Sequence, residues 1–305
     1  MELVKTKPAC KDYIWGGTKL KSWGKEAPFD HIAECWELSF NDSGPTLIDG
    51  GEYNNRPLKD VATKEDIGTV PASFPFFPVL IKFIDSASNL SVQVHPSDRY
   101  ALEHEHQYGK TEMWHILEAE KGAGLYIGFK RDVSKEEVSK ALYDGSILSL
   151  LNFVEVKPGE NYFIPSGTVH AIGGGVTLIE IQQNSTLTYR LYDYNRLGKD
   201  GKPRELHIEK ALKVLNYSRY NPPKFVPPLI GECQYFSSSY HLLEKGKEMN
   251  LVAPSASFYS LSFFYGEGRI NNFKFKNGDT FFLPARKKAV MEGKGALVLT
   301  EVKGK

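Results

Sequence analysis

The sequence predicts a mainly β fold made of two related barrel-like units with a few short helices. Short apolar segments such as residues 77–85 and 176–183 recur along the chain and are separated by Gly, Pro, Asn and Asp, which is typical of antiparallel strands. The segment from Gly159 to Pro165 also has the same glycine-to-proline spacing and aromatic centre as residues 278–284. Because glycine opens a turn and proline ends a strand where no backbone donor is needed, the repeat indicates two similar β units.

Helical patterning is confined to three segments, residues 97–106, 134–145 and 205–215, and the last two have apolar residues at i, i+3, i+4 spacing. A proline-rich stretch at residues 221–228 interrupts the β pattern. We therefore predict a larger first domain, residues 1–228, with small helical excursions, and a second β domain, residues 229–305.

The composition argues against several classes of partner. The 305-residue chain has 38 Lys plus Arg against 37 Asp plus Glu, and a net charge of +1, so no overall field favours nucleic acid or an anionic membrane. No uncharged apolar run is long enough for a membrane span. The three cysteines, at positions 10, 35 and 233, form no CxxC pair. We expect a cytoplasmic protein with reduced cysteines.

A candidate metal site is indicated by polar residues on apolar strands. Gln93 and His95 are two apart in a predicted strand and point to one face of the sheet. In the segment EMWHIL, alternation groups Glu112 with the inward apolar residues and turns His115 to the other side. A carboxylate among inward apolar residues is costly unless it is paired or bound to a metal. His170 follows the first copy of the glycine-to-proline repeat.

The segment from Gly159 to His170 resembles the second metal-binding motif of the cupin superfamily, although Gly174 stands where that motif ends in Asn. The resemblance implies that the two β units are cupin-type jelly-roll barrels. Two departures occur upstream, because Gln93 replaces the first histidine of the cupin motif and residues 96–111 are inserted before the acid. In the second unit Ala289 stands where the first has His170, so we expect that unit to be metal-free.

Both departures are features of type I mannose-6-phosphate isomerases, which the chain resembles in their short bacterial form. The signature residues are Gln93, His95, Pro96, Lys110, Glu112, Met113 and His170. Residues 15–17, 33–39, 80–95 and 188–193 are also similar to that family in the same order, so the resemblance covers roughly residues 8–210. It implies an aldose-ketose isomerase that interconverts mannose 6-phosphate and fructose 6-phosphate through an enediol.

The resemblance also implies roles for individual residues. One zinc ion per chain would be held by Gln93, His95, Glu112 and His170, a donor set that suits a borderline divalent ion. Lys110 and Arg190 would be catalytic, and Ser91, Lys110 and Arg190 would bind the sugar phosphate. Two questions stay open. Gln93 either binds the metal or only supports the site, and the catalytic base that moves the proton is Lys110, Glu112 through a water, or an unassigned carboxylate.

Two other functions are compatible with part of the same set of residues. Two histidines and a carboxylate on a jelly roll also suit a non-haem iron oxygenase, although Lys110 and Arg190 then have no evident purpose. A cupin that binds sugar without catalysis is the other alternative. The pair His104 and His106 is expected to be exposed on a helix, and residues 109–111 lack the context of a nucleotide-binding loop. The oligomeric state is left open.

Overall fold

The computed structural model describes residues 1–304 and confirms a mainly β fold with few helices. The strands are Val4–Lys7 (β1), Ala9–Lys11 (β2), Glu34–Leu38 (β3), Leu47–Asp49 (β4), Val79–Ser86 (β5), Val92–Val94 (β6), Glu112–Ala119 (β7), Gly124–Phe129 (β8), Leu151–Glu155 (β9), Asn161–Ile164 (β10), His170–Ile172 (β11), Val176–Gln183 (β12), Tyr189–Tyr192 (β13), Leu229–Cys233 (β14), Phe236–Leu243 (β15), Glu248–Val252 (β16), Tyr259–Ile270 (β17), Phe273–Lys276 (β18), Thr280–Leu283 (β19) and Lys288–Glu301 (β20). The α-helices are Lys19–Ser22 (α1), Leu58–Val61 (α2), Lys64–Ile67 (α3), Asp98–His104 (α4), Lys135–Tyr143 (α5) and Ile208–Val214 (α6), and single 3₁₀ turns lie at Pro71–Ser73 and Ile147–Leu150.

The strands form three antiparallel sheets. The first has the order β10-β7-β12-β5-β3-β2, and the second has the order β13-β6-β11-β8-β9. The third and largest has the order β14-β15-β20-β17-β19-β1-β4, with β16 paired to β20 and β18 paired to β17. The first two sheets carry all of the predicted site residues that lie in strands.

The internal repeat appears in the structure as two equivalent strands. Gly159 and Gly278 both have positive φ, 90° and 83°, which a residue without a side chain adopts without strain. Each glycine is followed two residues later by a four-residue strand, β10 or β19. The arrangement as two cupin jelly rolls and the boundary at residue 228 stay predictions.

The three predicted helical segments contain α4, α5 and α6. The start of α5 is capped by the hydroxyl of Ser134, which accepts a hydrogen bond from the Glu137 backbone N–H at 3.1 Å. Within residues 1–304 the three cysteines are free. No helix in that range is long and apolar enough to cross a membrane.

One apolar core joins the two predicted domains. Strands β1 and β4, from the N-terminal part of the chain, pair within the sheet that holds the strands after residue 228. The main core cluster includes Ile81 and Phe83 together with Phe236, Phe258 and Phe282. The ring of Phe258 stacks at 5.0 Å on Phe282 and at 5.5 Å on Phe77, and therefore bridges the two halves of the chain.

We expect Phe258→Ala to lower the free energy of unfolding by about 3 to 5 kcal/mol, because it removes a fully buried ring between two others. Urea denaturation measures the change. Tyr265→Ala is the matched control, since that side chain is 52% exposed and should change the stability by less than about 0.5 kcal/mol. A loss under about 1 kcal/mol for Phe258→Ala would contradict a shared core.

Candidate active site

His95, Glu112 and His170 form a buried cluster where β6, β7 and β11 meet. His95 directly follows β6, and Glu112 and His170 are the first residues of β7 and β11. Their donor atoms all lie within 4.8 Å of one another, and each side chain is at most 1% exposed. Nε2 of His170 is 3.2 Å from one carboxylate oxygen of Glu112, and Nε2 of His95 is 3.5 Å from the other. Three of the four predicted ligands therefore converge.

Backbone carbonyls fix both imidazole rings. Nδ1 of His170 lies 2.9 Å from the carbonyl oxygen of Thr168, and Nδ1 of His95 lies 2.7 Å from that of Leu187. A carbonyl only accepts, so each Nδ1 carries the ring proton and each Nε2 presents a lone pair to the cluster. A hydrogen bond of this kind is the usual device that sets the tautomer of a metal-binding histidine.

The donor set fits a divalent cation. Two imidazole lone pairs face a carboxylate, and Oε1 of Glu112 is buried without a hydrogen-bond partner among the described residues. A buried, unpaired carboxylate oxygen is costly, and a bound cation removes that cost. The three side chains suit a borderline metal ion with nitrogen and oxygen ligands.

Burial changes the pKa values of the cluster in opposite directions. It raises the pKa of Glu112 to about 7, assisted by the charge of Glu180 and opposed by Lys110. It lowers the pKa of His170 to about 4, and it also lowers the pKa of His95 well below its ordinary value. The imidazoles are therefore neutral near pH 7, which is the form that binds a metal.

Gln93 lies beside the cluster, in the middle of β6 and paired with His170 of β11. Its amide nitrogen is 3.3 Å from Nε2 of His170, and its amide oxygen accepts a hydrogen bond from Ser91 at 3.4 Å. Gln93 can bind a metal only through its amide oxygen. Because the amide nitrogen now faces the cluster, the amide group would have to rotate by about 180°. The predicted coordination by Gln93 stays a prediction.

Lys110 connects the cluster to further buried charges. Its ammonium donates to Glu112 and lies 3.1 Å from Nε2 of His95 and 3.7 Å from a carboxylate oxygen of Glu180. Lys82 in turn lies 3.1 Å from Glu180. Burial alone would raise the pKa of Glu180, but the Lys110 and Lys82 charges lower it to about 2. Burial opposes the charge of Lys82, yet Glu180 and Glu34 raise its pKa.

Sequence reasoning missed Lys82 and Glu180, although a usable signal was present. Lys82 lies between apolar residues of β5, Glu180 is the single charge of the apolar strand β12, and each is less than 9% exposed. The argument that selected Glu112, that a charge among inward apolar residues must be paired, applies equally to both. Trp114 and Trp36 hold two of these buried carboxylates in place, because their indole N–H groups donate to Glu180 and Glu34 at 2.9 and 2.6 Å.

Arg190 and Ser91 lie on the other side of Gln93. Arg190, in β13, is paired with Gln93, and its Nε donates to the buried hydroxyl of Ser91 at 3.2 Å. Its Nη1 donates to the carbonyl oxygen of Glu205 at 2.8 Å. Asp193 pairs with Arg196 and Arg204 instead of Arg190, so the guanidinium of Arg190 has no carboxylate partner among the described residues.

A cavity of about 460 Å³ lies over these residues. Gln93 and Lys110 line it and also contact the cluster, which therefore lies next to the cavity. Aromatic rings of Tyr13, Trp15 and Trp36 form part of the wall. The charged lining residues are Lys11, Glu34, Lys82, Lys110, Glu180, Arg190 and Arg204. The surplus of cations suits a small anionic molecule.

A mainly β fold with two histidines and a carboxylate next to a basic cavity defines a candidate metal-dependent enzyme. Residues 3–116 match the family model for phosphomannose isomerase type I, catalytic domain. The chain is 36% identical over 292 residues to mannose-6-phosphate isomerase ManA of Bacillus subtilis, with 91% of each chain covered. It is 34% identical to mannose-6-phosphate isomerase of Streptococcus mutans, with 89% of each covered.

A solved structure agrees with these relatives. The crystal structure of mannose 6-phosphate isomerase from Bacillus subtilis superposes with a TM-score of 0.88 and 31% identity, covering 98% of this chain and 99% of that one. The chain belongs to the type I phosphomannose isomerase family. Membership confirms that it is an enzyme of the isomerase class, and neither an iron oxygenase nor a sugar-binding protein without catalysis finds support in these matches.

The buried charges predict a pH-dependent contribution to stability. In metal-free protein at pH 7, we expect Glu180→Gln to lower the free energy of unfolding by about 3 to 5 kcal/mol, because Lys82 and Lys110 lose a buried partner. The folded-state pKa of Glu180, about 2, is below its ordinary value of 4.5. The stabilisation is therefore present above pH 4.5 and is lost as the pH falls toward 2.

Denaturant unfolding of wild type and variant across this pH range measures the effect. Glu118→Gln is the control, because Glu118 pairs with Lys19 at 3.7 Å in a half-exposed position, where such a pair contributes about 0 to 1 kcal/mol. A difference between wild type and Glu180→Gln that does not shrink in acid would contradict the ionised pair.

Proposed function

We propose that this enzyme interconverts mannose 6-phosphate and fructose 6-phosphate through an enediol at a zinc site. The observation that carries the proposal is the convergence of two imidazole lone pairs and a carboxylate next to a basic cavity. The relatives named mannose-6-phosphate isomerase, which cover nine-tenths of the chain, support this choice of substrate. We also propose that the chain folds as two cupin-type units and that the protein is cytoplasmic.

One zinc ion per chain would be held by His95, Glu112 and His170, with the amide oxygen of Gln93 as a fourth ligand. When bound, it would supply positive charge that polarises the carbonyl and hydroxyl oxygens of the substrate. The fixed tautomers of both histidines favour binding, since no ring has to rotate or lose a proton before it coordinates.

Lys110 and Glu180 suit the transfer of a proton between C2 and C1. Both line the cavity, and their charged atoms are 3.7 Å apart. The ionised carboxylate of Glu180 has lone pairs that can accept a proton, while the ammonium of Lys110 can donate one to a substrate oxygen. Glu180 is thus a concrete candidate for the carboxylate that the sequence left unassigned, beside Lys110 and Glu112.

Arg190 suits the stabilisation of negative charge on the enediol oxygens. Ser91 and the Glu205 carbonyl hold its guanidinium at two edges, beside Gln93 and without a carboxylate partner among the described residues. A fixed and unneutralised guanidinium can strengthen its bonds as charge develops on a substrate oxygen. Ser91 holds this side chain and faces the same cavity, so it would also contact the sugar phosphate.

The direct test is metal analysis of purified protein together with a coupled assay for fructose 6-phosphate formed from mannose 6-phosphate. We expect stoichiometric zinc, activity that a chelator abolishes, and recovery when zinc is restored. Protein that contains zinc but does not convert mannose 6-phosphate would refute the choice of substrate. Full activity after complete removal of metal would refute the metal-dependent mechanism.

We expect His170→Ala to lose bound zinc and activity together, because the site loses one of its two imidazoles and its geometry. Metal content by mass spectrometry and the coupled assay measure both. His104→Ala is the matched control, since His104 is an exposed helical residue bonded to its own backbone turn, and it should keep both properties. Stoichiometric zinc in His170→Ala would exclude this residue as a ligand.

We expect Arg190→Lys to keep zinc and fold but to lower kcat by about 10²-fold, or about 2.7 kcal/mol, because lysine keeps the charge and loses the two-edged donor geometry. The coupled assay gives kcat and KM. Arg219→Lys, at an exposed position, is the control and should match wild type. A defect confined to KM would instead indicate binding that is equal in the ground and transition states.

A further inference from the structure

Arg204 is a second guanidinium in the cavity that neither the sequence pattern nor the family resemblance singled out. It lies on the loop between β13 and α6 and lines the same cavity as Arg190. Its Nε donates to Asp193 at 2.7 Å, and its Nη2 donates to the other oxygen of that carboxylate. Nη1 has no hydrogen-bond partner among residues 1–304. The buried carboxylate thus holds one edge of Arg204 and leaves the other edge free.

The positive charges at this loop, which are only partly exposed, outnumber the buried negative charge. Arg190, Arg196 and Arg204 lie close together, and only Asp193, which is 5% exposed, stands between them. Glu205 contributes little, because its side chain is 83% exposed. Burial lowers the pKa of Arg190, and the nearby charge of Arg204 lowers it further. Like charges held together at a half-buried site are unfavourable unless an anion binds between them.

We propose that Arg204, oriented by Asp193, binds the phosphate group of the sugar phosphate. This inference rests on the proposed function, because it assumes a substrate with an anionic group at the end remote from the reacting carbons. A guanidinium is the side chain best matched to phosphate, since its parallel N–H groups can pair with two phosphate oxygens.

The geometry orients the substrate in one direction. Arg190 is paired with Gln93 beside the metal cluster, and the Glu205 carbonyl that holds Arg190 belongs to the residue directly after Arg204. Arg204 is therefore adjacent to Arg190. A substrate with its carbonyl end at the cluster and its chain along Arg190 would bring its far end to Arg204. Arg190 is then free to act on the reacting oxygens.

The test compares Arg204→Gln with wild type in the holoenzyme. We expect the KM for mannose 6-phosphate to rise roughly 10- to 100-fold, the loss that follows removal of a charge-assisted hydrogen bond, with kcat changed by less than about 3-fold. We also expect inorganic phosphate to inhibit wild type competitively and to inhibit the variant much more weakly. Arg204→Lys, which keeps the charge, should fall between the two and provides a second variant if Arg204→Gln does not fold.

Arg196→Gln is the matched control. Arg196 pairs with the same Asp193 oxygen but directs its Nη1 to the Asn89 backbone carbonyl and does not line the cavity. A phosphate contact predicts wild-type KM and wild-type phosphate inhibition in Arg196→Gln. If Arg196→Gln reproduces the defect of Arg204→Gln, the effect passes through Asp193 and the loop, and the assignment of Arg204 is wrong.

Other outcomes also decide between the two proposals. Unchanged KM in folded Arg204→Gln, or unchanged phosphate inhibition, would overturn the assignment of Arg204. A wild-type enzyme that inorganic phosphate does not inhibit would overturn it as well. Wild-type protein that does not convert mannose 6-phosphate would instead refute the proposed function, whatever the variants do.

Discussion

A row of alternating buried charges across one sheet is the constraint on which the rest of the site depends. Glu180, Lys82 and Trp36 are direct neighbours on β12, β5 and β3, and Glu34 and Glu112 extend the row at its two ends. The three inner charges, Lys82, Glu180 and Lys110, each lie between two partners of opposite sign. Removing one member takes a buried partner away from each of its neighbours, which costs more than the loss of an exposed pair.

This row also orients the candidate metal site. Lys110 bonds to Glu112 and approaches His95, so the position of the carboxylate depends on an ammonium that Glu180 helps to hold. On the opposite side, backbone carbonyls hold the two imidazole rings. The candidate ligands are thus fixed by surrounding groups, so little conformational entropy would be lost if a metal bound.

The sequence predicts the metal cluster better than its surroundings, for a physical reason. Gln93, His95 and Glu112 stand out because strand alternation within a few residues gives their direction. Lys82 and Glu180 are 98 residues apart in sequence, and only strand pairing brings them together. Arg204 is harder still, since its orientation depends on a loop folded onto Asp193. The same limit applies to the fold. Each copy of the glycine-to-proline repeat is visible in seven consecutive residues, whereas the pairing of β1 with β19 joins segments that are far apart in the sequence.

The two ends of the cavity differ in charge balance, and this difference indicates which molecules it selects. At the cluster, the ammonium groups of Lys82 and Lys110 face three buried carboxylates, Glu34, Glu112 and Glu180, so this end accommodates a metal cation and uncharged oxygens. At the loop, guanidinium groups exceed the buried carboxylates, so this end favours an anion. A neutral sugar would leave the guanidinium groups at the loop without an anionic partner. A molecule with a negative charge at each end would bring one of them close to the carboxylates at the cluster, where like charges repel. A sugar with one terminal phosphate satisfies both ends.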